Sequence, residues 1–253
     1  MKTFFKNNFK KTILFFLVLF LVIIIGYSDM TFSLLFSSKI MIHRVNSIEK
    51  LNEVKGDFIG VELDIMYDSI VNVFDVNHPP AKSIHLNLEE YLSNSKENKE
   101  VMYWFDFKNL TRFNKKKALK RLNDIVFNSG IQKNKIIIET TLPENASVFK
   151  EAGYITSYYL PPYLHSKTKD SLAYYITLIK TKSKEYPTDY ISFDYTDYTI
   201  INKNFKNMKK LTWYVNQPII RKKIFTKFKL YSILSDENVD YVLFSYYSKY
   251  GDR

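Results

Sequence analysis

The stretch Phe58-Ile59-Gly60-Val61-Glu62-Leu63-Asp64-Ile65-Met66-Tyr67 decides the fold. It is a β-rich run interrupted by two carboxylates two residues apart. Residues two apart in a strand face the same side, so Glu62 and Asp64 point together. An open, doubly wound parallel sheet favours longer, wholly apolar central strands; a strand carrying polar groups on one face suits a closed barrel better. The runs on either side repeat the rhythm. Strands are expected at 39–45, 58–67, 101–108, 135–141, 155–161, 189–196, 210–216 and 239–246, with a short extra strand within 71–77 paired to the end of 58–67. Helices are expected between them at 47–54, 87–95, 115–130, 143–153, 171–186, 198–206 and 217–229. Ser47 opens the first as a cap, Pro143-Glu144 lies in a first turn, and Gly130 closes the helix that carries Ala118, Leu122, Ile125 and Val126 on one face. Eight strands alternating with helices predict a (β/α)8 barrel of the α/β class over residues 38–253.

In a barrel, the inward pairs Glu62/Asp64 and Asp106/Lys108 approach the C-terminal mouth, where barrel active sites lie. His43-Arg44-Val45-Asn46-Ser47 and Asn77-His78-Pro79-Pro80 bring two of the four histidines to strand ends on either side of Glu62-Leu63-Asp64. Carboxylates crowded in a low-dielectric mouth repel one another unless a cation neutralises them. Oxygen-only ligands point to one divalent cation, Mg2+ or Ca2+. Imidazoles beside it can divide attack and leaving-group protonation, because they titrate near neutral pH. Glu139, at the end of Ile136-Ile137-Ile138, can reach the same mouth as a reserve ligand or substrate contact; a strand-end surface acid is the competing reading. Trp213 can stack on a substrate or serve as a core aromatic. For Tyr158-Tyr159 and Asp194-Tyr195, packing and the mouth are equal alternatives. His85 and His165 are expected in exposed loops. Asn109-Leu110-Thr111 and Asn145-Ala146-Ser147 match a glycosylation pattern.

Composition narrows the classes. There are six Gly against 20 Tyr and 20 Phe, and no glycine-rich phosphate loop of the dinucleotide or P-loop kind. Cysteine is absent, which excludes disulfides, thiolate metal sites and lipoprotein acylation. The net charge is +11. Lysines are scattered without a compact basic motif, so a solvated surface is expected and nucleic acid is not a partner; anionic head groups or phosphorylated substrates are the sharper reading. Four of the charges are Lys2, Lys6, Lys10 and Lys11, ahead of an uncharged run from Thr12 to Ser28. Residues 1–29 are therefore expected to form a cytoplasmic stub and a single transmembrane anchor, with the following domain exported to the periplasmic or extracellular side. A signal peptide cleaved near Gly26-Tyr27-Ser28, giving a secreted protein, is the alternative.

The order H-R, E-L-D and H resembles the glycerophosphodiester phosphodiesterases, a superfamily of phospholipase-C-like barrels. Thr212-Trp213-Tyr214-Val215-Asn216 resembles their W-T-V-N strand, and Val239-Asp240-Tyr241-Val242 their last barrel strand. The menorin offshoot of that superfamily is a closer match, through Val45-Asn46-Ser47, His78-Pro79-Pro80, Leu88-Glu89-Glu90-Tyr91-Leu92 and Asp106-Phe107-Lys108. The resemblance implies that Glu62, Asp64 and Asp106 hold one divalent cation, and that His43 and His78 act as nucleophile or base and as general acid. It also implies that Arg44 and Lys108 offset phosphate charge. Three features depart from the phosphodiesterase pattern: Val45 replaces the usual glycine, the P-E-N-T motif is missing, and the segment between His78 and Asn87 is too short for the helical insertion. Two functions follow as alternatives. One is metal-dependent hydrolysis of an envelope or lipid-derived phosphodiester; the other is a catalytically silent metal-binding or scaffolding barrel of menorin type.

Overall fold

The computed structural model describes residues 12–20, 35–94, 101–215 and 224–250. Eight strands run parallel around a closed barrel: β1 (Ile40–His43), β2 (Gly60–Asp68), β4 (Met102–Phe107), β5 (Ile136–Thr140), β6 (Ile155–Tyr159), β7 (Tyr190–Asp194), β8 (Lys210–Tyr214) and β9 (Val239–Ser245). Closure comes from β1, which pairs in parallel with both β2 and β9. The remaining strand, β3 (Val73–Val76), turns back antiparallel on the end of β2, with Ile65 opposite Val76 and Asp68 opposite Val73. Each expected strand thus has its counterpart, the short one within 71–77 included.

Helices follow the strands: α1 (Ile48–Val54), α2 (Leu88–Ser93), α3 (Lys115–Ser129), α4 (Pro143–Glu151), α5 (Lys169–Glu185), α6 (Tyr198–Asn204) and α7 (Ile224–Leu234). Side-chain oxygens of Ser47, Asn87 and Thr168 cap the first turns of α1, α2 and α5, each satisfying an amide that the helix leaves free. Gly130 ends α3 at φ 72°, a left-handed conformation that suits glycine. Of the helix expected at 217–229, residues 217–223 lie outside the described residues, and the rest belongs to α7.

Period-two alternation builds the two layers of core. In β4, Tyr103, Phe105 and Phe107 face outward into a cluster with Leu63, Ile65, Leu122 and Ile125. Met102 and Trp104 face inward with Met41, Ile137, Leu211 and Leu243, filling the barrel below the mouth. A side chain at Gly60 would collide with the Met102 carbonyl oxygen and the Met41 side chain, so β1, β2 and β4 meet there only around a glycine. Residues 12–20, part of the expected anchor, are helical and expose Ile13, Leu14, Phe15 and Phe16. The remainder of that run, 21–28, lies outside the described residues. Among the described residues no helix is long and apolar enough to cross a membrane.

Candidate active site

Strand register gathers the acids. Asp64 on β2 is level with Asp106 on β4, which is level with Glu139 on β5. One oxygen from each of Glu62, Asp64 and Asp106 lies within 4.8 Å of the other two. Glu62 is 3% exposed and Asp64 1%. Burial, reinforced by the charges of Asp64 and Asp106, raises the pKa of Glu62 well above the usual carboxylate range. Burial acts the same way on Asp64, but the Lys108 ammonium and the Asn46 amide outweigh it and hold Asp64 below the ordinary value. Lys108 Nζ is 2.7 Å from Asp64 Oδ1 and also bonds Asp106 Oδ2. Asp106 nevertheless titrates above the ordinary value, burial being the larger effect. Three carboxylates, two of them buried and two of them bridged by one ammonium, are a set of hard oxygen donors short of positive charge, and they fit a divalent cation of the Mg2+ or Ca2+ type.

Asn46 sets Asp64 in place. Its Nδ2 donates to Asp64 Oδ2 at 2.7 Å, and its Oδ1 accepts from the Asp64 amide at 2.9 Å. Arg44 is left-handed, with φ 52°, a conformation that costs a non-glycine residue about 1–3 kcal/mol. Its backbone N–H donates to Glu62 Oε2 at 2.7 Å, while the guanidinium reaches across the mouth to His78 Nε2, also at 2.7 Å. Guanidinium has only donors, so the contact calls for a neutral His78 that accepts through Nε2. Burial indeed lowers the His78 pKa. On the opposite side His43 Nε2 lies 3.8 Å from Glu62 Oε2, and burial, with Arg44 beside it, pulls its pKa down to about 3. Two neutral imidazoles therefore flank the carboxylates.

The other wall is aromatic and acidic. Glu139 is 3% exposed, and its Oε1 has no hydrogen-bond partner. Burial, with Asp106 nearby, lifts its pKa to about 8. Tyr159 packs edge-on against Trp213 with ring centroids 4.9 Å apart; burial, with Glu139 and Asp106, pushes its hydroxyl up to about 12. These walls enclose a cavity of about 290 Å3.

The residues to which the sequence assigned catalytic, metal or substrate roles all line this one cavity: His43, Arg44, Glu62, Asp64, His78, Asp106, Lys108, Glu139 and Trp213. Tyr159 and Asp194 line it as well, whereas Tyr158 belongs to the packing beneath α5. Two contributors were given no role by the sequence, although Asn46 lies within the quoted Val45-Asn46-Ser47. Asn46 works through a clamp that only the fold creates, and Tyr163 comes from the loop after β6. That loop is fastened by Asp197, whose Oδ1 accepts from the backbone N–H of His165 and lies 2.7 Å from its Nδ1, so His165 is exposed, as expected, but tethered. Both glycosylation matches have structural roles instead: Asn109 exchanges hydrogen bonds with the Tyr67 backbone, and Asn145 is buried.

Among solved structures the chain is similar to a glycerophosphodiester phosphodiesterase from Parabacteroides distasonis, at 16% identity and a TM-score of 0.58, covering 82% of this chain and 92% of that one. It is also similar to an Oleispira antarctica phosphodiesterase in complex with the product sn-glycerol-3-phosphate, at 9% identity and a TM-score of 0.54, covering 84% and 94%. At these identities the likeness establishes the barrel fold. No family model and no curated protein matches the sequence.

Proposed function

We propose that the protein is a metal-dependent phosphodiester hydrolase acting on an envelope or lipid-derived phosphodiester. The observation that carries this reading is the convergence of two histidines, Arg44 and Lys108 on the carboxylate triad of Glu62, Asp64 and Asp106, all in one cavity. The fold shared with phosphodiesterases, one of them holding sn-glycerol-3-phosphate, supports it.

In this reading Glu62, Asp64 and Asp106 hold the divalent cation, which would polarise a phosphoryl oxygen. His43, kept neutral by burial, attacks phosphorus or takes the proton of the attacking hydroxyl. His78, neutral while it accepts from Arg44, takes up a proton as the guanidinium turns to the phosphate, and the resulting imidazolium protonates the leaving alcohol. Arg44 and Lys108 offset the phosphate charge, Arg44 through its planar fork. Glu139 and Trp213 contact the remainder of the substrate. Water reaching phosphorus gives hydrolysis; a substrate hydroxyl in the same place gives a cyclic phosphate. The domain is tethered by its N-terminal segment and exported, or secreted after cleavage of that segment.

The test is turnover of a phosphodiester panel by the full chain with Mg2+, Ca2+ or EDTA. Activity that EDTA abolishes and that falls at least ~100-fold in both His43→Ala and His78→Ala, with unchanged melting temperatures, is the expected result. Full turnover in either variant removes that histidine from the mechanism. The second reading, a silent barrel of menorin type, draws on Lys108, which already bridges two of the three acids. It requires cation-dependent stabilisation without turnover of any diester.

A further inference from the structure

The β2–β3 turn and the β4–α3 loop both leave the C-terminal ends of their strands, on the side where the cavity opens. The turn exposes Ile70 (91%) and Val71 (64%), and the loop exposes Phe113 (82%). Single exposed apolar residues are ordinary on a protein surface, but three of them on two mouth segments that are fastened to each other call for an explanation.

Here the two segments are joined and rigid. Asn109 accepts from the Tyr67 amide at 2.9 Å and donates to the Tyr67 carbonyl at 3.0 Å, bolting the loop to the end of β2. Asn114 fastens the loop from inside through Asn109 O and the Thr111 amide. Lys117 Nζ bonds Ser69 O, tying the first turn of α3 to the hairpin tip. The Tyr67 hydroxyl donates to Asn72 Oδ1 at 2.6 Å, holding Asn72 at φ 58°. The one acid at the tip, Asp68, is engaged by the Ile70 and Val71 amides. On the same loop and the first turn of α3 are Arg112, stacked on Phe113 with 4.5 Å from its guanidinium carbon to the ring centroid, and the exposed Lys116 and Lys117, whereas the Lys115 ammonium bonds the Glu144 carbonyl.

We propose that this edge, Ile70, Val71 and Phe113 flanked by Arg112, Lys116 and Lys117, docks the mouth of the barrel onto an anionic lipid surface. Apolar side chains enter the head-group region while the basic residues meet its negative charge. The contact is separate from any N-terminal tether, and it turns the cavity toward the bilayer. Docking does not require that the mouth be catalytic.

The lack of native cysteine makes the test direct. Ile70→Cys, Phe113→Cys and Phe127→Cys variants of the full chain are each labelled with an environment-sensitive fluorophore. They are then reconstituted with vesicles of phosphatidylcholine alone or with added phosphatidylglycerol. Phe127 is 86% exposed and lies near the far end of α3, so it reports proximity without docking. Blue shifts at 70 and 113 but not at 127, larger with phosphatidylglycerol and reduced by salt, are expected. Lys116→Ala should lower the docked fraction about fivefold in its ratio to the undocked form. No shift at 70 and 113, equal shifts at all three positions, or a response unaffected by anionic lipid overturns the proposal. So does an equal response of the labels to double-stranded DNA, which would mark the edge as a general polyanion surface.

Discussion

At the N-terminal end of the strands Lys210 is fully buried, yet its ammonium donates to the carbonyls of Lys206 and Met208 at 2.9 and 3.0 Å and faces Asp236 at 3.9 Å. Asp240 accepts from Tyr190 and Lys209, and Asp189 accepts from Thr156 and Lys150. At the C-terminal end the buried Glu62 and Glu139 and the half-buried Asp106 all titrate above the ordinary carboxylate value because burial outweighs the one ammonium beside them, Glu139 Oε1 has no hydrogen-bond partner, and Arg44 is in a strained conformation. The same barrel thus buries charge in two ways. Where each group is matched, burial serves the fold. Where groups are left short of partners, the protein gives up stability that a bound ligand can return.

The largest effect expected from this contrast is at Glu62. Glu62→Gln keeps an oxygen for the Arg44 amide but removes a charge that its surroundings oppose. Loss of an outer partner of a metal ligand costs about 10–100-fold in affinity or activity, and loss of a ligand itself should cost at least as much. Cation-dependent stabilisation and turnover should therefore fall by ~100-fold or more. The metal-free variant should meanwhile melt higher, by a few degrees for about 1 kcal/mol. Melting curves with EDTA and with Mg2+ or Ca2+ separate the outcomes. A lower metal-free melting temperature would mean that Glu62 is a structural group like those at the far end.

Lys210→Met should do the opposite. It leaves the Lys206 and Met208 carbonyls without their donor and Asp236 without its facing charge, at a cost of about 2–4 kcal/mol, read as a lower urea midpoint. Cation binding and turnover per folded molecule should stay as in the parent. A loss of cation binding in folded Lys210→Met would break the separation between the two ends.

The contrast also explains what could be read from the chain itself. Strand rhythm and the Glu62/Asp64 spacing were enough for the barrel and for which acids share its interior, because alternation in a strand is local. The paired histidines were legible because His43 and His78 fall at strand ends. Asn46 was not, since its value lies in a clamp on Asp64 that forms only when β1 and β2 pair. Tyr163 was hidden for a similar reason: its loop reaches the mouth by being tied to Asp197, 34 residues further along. Spacing along a strand can be read directly, whereas a contact made by a loop depends on partners distant in sequence. The matched groups at the far end also gave no sign, since an isolated lysine such as Lys210 reads as solvated until the fold buries it.

The smallest expected effect is at Asp189, where pH supplies a second handle. Burial works to raise its pKa, but the Lys150 ammonium and the bonds from Thr156 outweigh burial and leave it below the ordinary value. A carboxyl whose pKa is lowered on folding contributes stability that is fully present above its unfolded pKa, near 3.9, and is lost as pH falls through the lower, folded value. Asp189→Asn keeps an acceptor for Thr156 and loses the charge. It should therefore cost about 1 kcal/mol or less at pH 7, since the group is partly exposed and its ion pair is screened. The difference from the parent should shrink as the pH is lowered below 4, and 1 M salt should reduce it at pH 7. Urea titrations of both proteins at pH 7, 4 and 3 read this out. A gap that stays constant down to pH 3 would mean that Asp189 acts through shape and hydrogen bonding alone. In that case charge pairing would have no share in what distinguishes this end of the barrel from the mouth.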